Sequence, residues 1–237
     1  MNMIRKSLAA LLLLGAVSLQ SCKSDTTGPD GGGNNVTNTK PKAGATYTYN
    51  EEVAPEGQQP TNSTVIYTVV QANATVGSKS SVYTFDGPAD DDTRVIAYES
   101  NGNVSVLVPR VTMTGVDTVW MTIPVTGSGG SSNLLVADFD LDVFGIMVNT
   151  KVNVTATAAG TENITVGSKS FAAKKIKVTN KTTVTMPGVP ATTETADDYF
   201  WWVPEIGYYA KNQETSRDED TDDVIVTTET LTSFDID

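Results

Sequence analysis

Six of the chain's 17 aromatic residues crowd into eleven positions, Tyr199-Phe200-Trp201-Trp202 and Tyr208-Tyr209. Successive side chains of an extended segment point to opposite faces. Tyr199 and Trp201 therefore share one face, and Phe200 and Trp202 the other. One pair belongs to a core. The other is either covered by another segment or exposed as a platform of the kind that stacks on sugar rings and apolar ligands. With Tyr199, Trp201 and Val203 expected on the core face, Phe200, Trp202 and Tyr208 are the candidate ligand-binding residues.

Carboxylates are the second reactive resource, 28 against 16 basic residues. Asp218, Asp220, Asp222 and Glu229 imitate the spacing of a calcium-binding loop. However, Asp223 stands where the turn glycine is needed, and the residues after it read as strand. The segment is expected to be a solvated hairpin loop, as is Asp90-Asp91-Asp92. Paired carboxylates can hydrolyse glycosides, but pairs are unavoidable at this acid content. The chain has no histidine, and Cys22 is its only cysteine. Triads, Cys–His pairs, His/Cys metal sites and internal disulfides are excluded. No catalytic residue, metal or cofactor is expected. A formal charge of -12 repels phosphates, so nucleic acid is not an expected partner.

The position of Cys22 is informative. Arg5 and Lys6 precede an apolar run, Leu8 to Leu19, which is too short for the ~20 residues of a membrane-spanning helix and has the shape of a secretory signal. It ends in Leu19-Gln20-Ser21-Cys22, which resembles the lipobox of bacterial lipoproteins, with Gln20 bulkier than usual. The resemblance implies cleavage after residue 21 and lipidation of Cys22, such as by palmitate. A membrane partner then follows, with localisation in the cell envelope on the outer membrane, at its periplasmic face or the cell surface. Losing Arg5 and Lys6 leaves 14 basic and 28 acidic residues, a net of -14. Residues 22–43 are Gly-, Asn- and Thr-rich, with too little apolar surface to offset their ordering entropy. They read as a disordered tether.

Residues 44–237 read as a single all-β domain. The chain has 35 Thr and 28 Val, and only five leucines follow Cys22. β-Branching suits pleated strands and disfavours helices. Period-two segments recur from Tyr47 to Phe234. Asn101-Gly102 reads as a two-residue hairpin turn. Along 135–143, Leu135, Ala137, Phe139, Leu141 and Val143 alternate with Asp138, Asp140 and Asp142, the pattern of a strand with one wet face. About a dozen strands are expected, in a curved antiparallel sheet or half-barrel meander without significant helix outside the signal peptide. Asn73-Ala74-Thr75-Val76-Gly77-Ser78-Lys79-Ser80 returns as Asn163-Ile164-Thr165-Val166-Gly167-Ser168-Lys169-Ser170. This suggests two related β units, about 44–132 and 133–237.

Within 139–211, Val166 and Phe171 around a turn, then Trp201-Trp202-Val203-Pro204-Glu205-Ile206-Gly207-Tyr208-Tyr209-Ala210-Lys211, resemble uncharacterised bacterial lipoproteins related in pattern to lipoprotein-carrier (LolA/LolB-like) half-barrels. The resemblance implies a strongly curved antiparallel sheet with a concave apolar face, and no catalytic residues. The reading is a lipid-anchored envelope protein, not an enzyme, serving as a ligand-binding or structural module for a glycan or apolar small molecule. The alternative is a carbohydrate-active enzyme with paired carboxylates.

Overall fold

The computed structural model describes residues 37–88, 93–126, 131–218, 221 and 223–236. Cys22, the signal segment, most of the tether, Asp90 to Asp92, Asp220 and Asp222 lie outside them. Every regular element among the described residues is a strand. The first six are β1 (Thr46–Pro55), β2 (Thr61–Val76), β3 (Lys79–Asp86), β4 (Thr93–Tyr98), β5 (Val104–Thr112) and β6 (Gly115–Ile123). The second six are β7 (Ser131–Val143), β8 (Ile146–Val166), β9 (Lys169–Met186), β10 (Val189–Val203), β11 (Tyr208–Arg217) and β12 (Val224–Asp235).

Each half is a six-stranded antiparallel meander, and β12 returns to pair with β1. The sheet goes further than a half-barrel, because it closes. β5 carries β6 along one edge. Its other edge pairs with β4 at 104–106 and, in parallel, with β7 at Val111 and Thr112. Eleven strands thus form a ring, with β6 outside the count. Closure removes the unpaired edges of the ring itself, and β6 keeps its outer edge. The two meanders meet at two seams, the antiparallel β1–β12 pairing and the short parallel β5–β7 contact.

The repeated octapeptide occupies equivalent hairpins, β2–β3 and β8–β9. Gly77 and Gly167 both sit at φ 58 as the first of two turn residues, Val76 facing Lys79 and Val166 facing Lys169. That is the type II′ geometry, which needs glycine at its first central position. Asn101-Gly102 is not a two-residue turn. Tyr98 faces Val104, and only Gly102 has positive φ. Asn101 instead uses its side chain, accepting the Asn103 N–H at 2.9 Å. In β7 a bulge between Leu135 and Ala137 resets the alternation. Val136 turns inward, and Leu135, expected in the core, is 40% exposed.

The strands define two ends. At one, the chain enters through residues 37–45, and the β2–β3, β8–β9 and β10–β11 turns gather. Residues 37–43, tether by composition, pack onto this end. Asn38 and Pro41 are buried, and the Thr39 N–H donates to Pro204 O at 3.0 Å. This tether end holds an aromatic core: Tyr47, Tyr49, Tyr67, Phe85, Trp202 and Tyr208 are essentially inaccessible. Phe85 and Tyr208 stack with centroids 4.1 Å apart.

Candidate functional site

Cross-strand pairing decides the faces of the aromatic strand. Phe200 lies opposite Ile176, and Trp201 opposite Lys175. Phe200 and Trp202 therefore point into the barrel, where they are 1% and 0% exposed, and Trp202 packs against Tyr98 and Tyr208. This inverts the expected assignment, because alternation along one strand says which residues share a face but not which face is wet. Trp201 points outward yet is only 4% exposed. Lys175 and Lys211 each place their ammonium 4.8 Å from its ring, and its indole N–H donates to Glu162 Oε2 at 2.6 Å. Neither face offers a bare platform. The three residues proposed as ligand contacts, Phe200, Trp202 and Tyr208, are packed core.

Above this core the interior turns polar. Arg94 on β4 is opposite Phe85 and buried. Its guanidinium donates to the Tyr209 and Tyr67 hydroxyls and sits 3.9 Å from the Tyr67 ring centroid. The Glu229 carboxylate lies 3.7 Å away. It accepts the Tyr67 hydroxyl at 2.6 Å and the Tyr209 hydroxyl at 2.8 Å. Asn212 reaches Glu229 at 3.4 Å and donates to Glu214 at 2.7 Å. Burial alone would lower the pKa of Arg94. The phenols and Glu229 around it outweigh that, and its charge is held firmly. Glu229 is thereby committed to the interior, which removes it from any calcium loop built on Asp218.

Beside this network the wall forks. β10 and β11 pair from Val203–Tyr208 only as far as Tyr199–Gln213. Beyond, β10 follows β9 to Val189 and β11 follows β12 to Arg217. In place of the next ladder carbonyl, Asp198 Oδ1 accepts the Thr215 N–H at 2.8 Å, and its Oδ2 accepts Asn180 Nδ2 at 2.9 Å. Burial pushes the Asp198 carboxyl up to about 6, with help from neighbouring Asp197. Burial likewise raises Glu214 to about 7 against the opposing pull of Asn212 and Arg94. Two carboxyls near neutrality at one fork could exchange protons or bind hydroxyl and amine groups. Nothing in the sequence marked them, because their shifts come from strands that meet only in the fold. A shallow recess of about 240 Å³ lies elsewhere, over the β5–β7 seam between Arg110, Leu134 and Asp138. Among the described residues no cluster of three His, Cys, Asp or Glu could hold a metal.

No family model matches the chain, and no curated protein matches it. Solved structures do resemble it. A Bacteroides fragilis protein assigned as exported, with a YmcC-like fold, aligns at 15% identity and TM-score 0.44, over 84% of this chain and 99% of that one. A protein from Parabacteroides distasonis, assigned as a lipoprotein, gives 14%, TM-score 0.43 and the same coverages. The hypothetical lipoprotein YmcC from Escherichia coli gives 11% and TM-score 0.31 over 79% of this chain and 84% of that one. Likenesses this loose transfer neither function nor site residues. None of the three is described as a lipoprotein carrier, so the carrier resemblance gains nothing from them.

Proposed function

We propose that this chain is a lipid-anchored bacterial envelope protein, held to the outer membrane through Cys22, whose barrel serves as a binding module. The observation that carries the anchor is the chain's one cysteine standing directly after Leu19-Gln20-Ser21 at the close of a short apolar run. Two or three acyl chains, at ~0.8 kcal/mol per buried methylene, hold such a protein without a spanning helix. The test is Cys22→Ser. It should abolish labelling by a fatty-acid analogue and leave the precursor uncleaved, and continued labelling would overturn the anchor.

The ligand reading now rests on the fork. Its lining of carboxyls and amides, Asp198, Glu214, Asn180 and Asn212, favours a hydroxyl-rich glycan over an apolar molecule. Screening envelope oligosaccharides against wild type and Asp198→Asn/Glu214→Gln should show binding lost in the variant. If wild type binds none, the barrel is a structural spacer. A second reading, a carbohydrate-active enzyme, draws on the same two raised carboxyls as acid and base. Release of reducing ends by wild type and not by either single variant would establish it, and turnover that survives both would end it.

A further inference from the structure

Charge on the barrel is sorted along its axis, although the chain as a whole is strongly acidic. Seven lysines lie at the tether end: Lys40 and Lys42 in the entering segment, Lys79 and Lys169 at the β2–β3 and β8–β9 turns, and Lys174, Lys175 and Lys211 on the adjoining wall. Four described carboxylates share that end, Glu99, Glu162, Glu205 and Asp235. Glu99 holds Lys79, and Glu162 holds Lys175 at 2.7 Å. Lys40, Lys42 and Lys169 are exposed, Lys174 and Lys211 half-buried, and these five have no ion pair among the described residues. The opposite end is the reverse. Glu51, Glu52 and Glu56 approach the β1–β2 turn, Asp138, Asp140 and Asp142 the β7–β8 turn, and Asp218 and Asp223 flank the β11–β12 turn. The bases there are fewer, and Arg110 and Lys151 are bound to Asp117 and Asp138.

We infer that the tether end is a docking face for anionic glycerophospholipid headgroups of the leaflet that holds the anchor. The inference rests on the anchored reading, and the chain's own geometry supports it. Only residues 23–36 separate Cys22 from Thr37, a reach of at most ~50 Å, and that segment joins the barrel at its basic end. Lysines held within a Debye length of ~10 Å of an anionic surface are attracted to it. The acidic end is repelled. The two forces turn the barrel the same way, upright, with the fork between β10 and β11 opening away from the membrane.

The test takes the mature chain purified from cells that express the full precursor, mixes it with phosphatidylcholine vesicles and with vesicles that also contain phosphatidylglycerol, then reads flotation and the acetylation of each lysine. Flotation with pure phosphatidylcholine reports the anchor alone. On phosphatidylglycerol, Lys40, Lys42, Lys169, Lys174 and Lys211 should be acetylated several-fold more slowly than on phosphatidylcholine. Lys151 and Lys181 should not change, and added salt should erase the difference. Flotation on both with equal reactivity everywhere overturns the docking face and leaves the anchor standing. A chain that floats only with phosphatidylglycerol, with those five lysines protected, keeps the face and loses the anchor. A chain that floats with neither loses both.

Discussion

Arg94 and Glu229, 135 positions apart in sequence, stand 3.7 Å from each other inside the barrel, each side chain 5% exposed. The pair links β4 of the first meander to β12 of the second, across the interior rather than around the wall. Tyr67 and Tyr209 bridge them with hydroxyls that accept from the guanidinium and donate to the carboxylate.

Such a pair is costly to break and less costly to replace. Glu229→Leu leaves the guanidinium without its counter-charge, and Arg94→Met leaves the carboxylate, so each single variant should lose about 3–5 kcal/mol. The double variant should recover much of that, short of wild type because two phenols lose partners. Urea melts of the four proteins give the coupling. Simply additive losses would mean the two charges are solvated independently.

Asp198 and Glu214 set the pH dependence. Their unfolded pKa values are about 3.9 and 4.3, while burial holds them in the fold at about 6 and about 7. Between those limits the native state binds more protons than the unfolded state, so stability falls as pH rises. Acidification from pH 8 to about 5 should therefore raise the urea midpoint. Below about pH 4 the trend reverses. Glu162 is held low by Lys175 and Trp201, and Asp197 is held low because Lys177 and Thr179 outweigh its partial burial. Both lose those partners' stabilisation on protonation. Asp198→Asn with Glu214→Gln should flatten the slope between pH 5 and 8. A midpoint that climbs steadily toward pH 8 in wild type would show that the two carboxyls are solvated.

The β class was legible because it depends on composition and period, which Thr, Val and the alternation of 135–143 express locally. The lipobox-like motif ending in Cys22 is likewise a short contiguous pattern, and it lies outside the described residues. Faces and closure were not legible. Whether Trp201 or Trp202 points inward depends on Lys175 and Ile176 across the ladder. The ring depends on one edge of β5 meeting both β4 and β7. The fork was invisible too. Asp198 and Glu214 are ordinary acids in sequence, and only the parting of β10 from β11 gives them their environment.

Gly207 fixes how the entering segment sits. Its φ is 66°, and a Cβ there would lie 2.0 Å from Thr39 O. Gly207→Ala should displace residues 37–43 from the β10–β11 turn. It should cost more than Gly188→Ala, which has a similar φ of 74° and open space around its Cβ and so incurs only the left-handed strain of ~1–2 kcal/mol. Trypsin reads the displacement separately from stability, since the bond after Lys42 should be cut faster in Gly207→Ala alone. Equal cleavage in the two variants would show that the segment does not depend on this contact.

The adjacent tryptophans should fail in different ways. Trp202 contacts only core, so Trp202→Ala should cost about 3–5 kcal/mol, as for other buried large aromatics, at any ionic strength. Trp201 is held from outside by Lys175, Lys211 and Glu162, and Trp201→Phe keeps a ring for the ammonium groups while removing the indole N–H. That change should cost about 1.5–3 kcal/mol, the range for a hydrogen bond to a charged group, and most of it should vanish in a Glu162→Gln background. Salt should weaken the Trp201 contribution, because its partners meet solvent. Urea melts at two salt concentrations measure both. If Trp202→Ala cost less than Trp201→Phe, the strand would have to be turned over, with Trp201 in the barrel and Trp202 beneath the lysines.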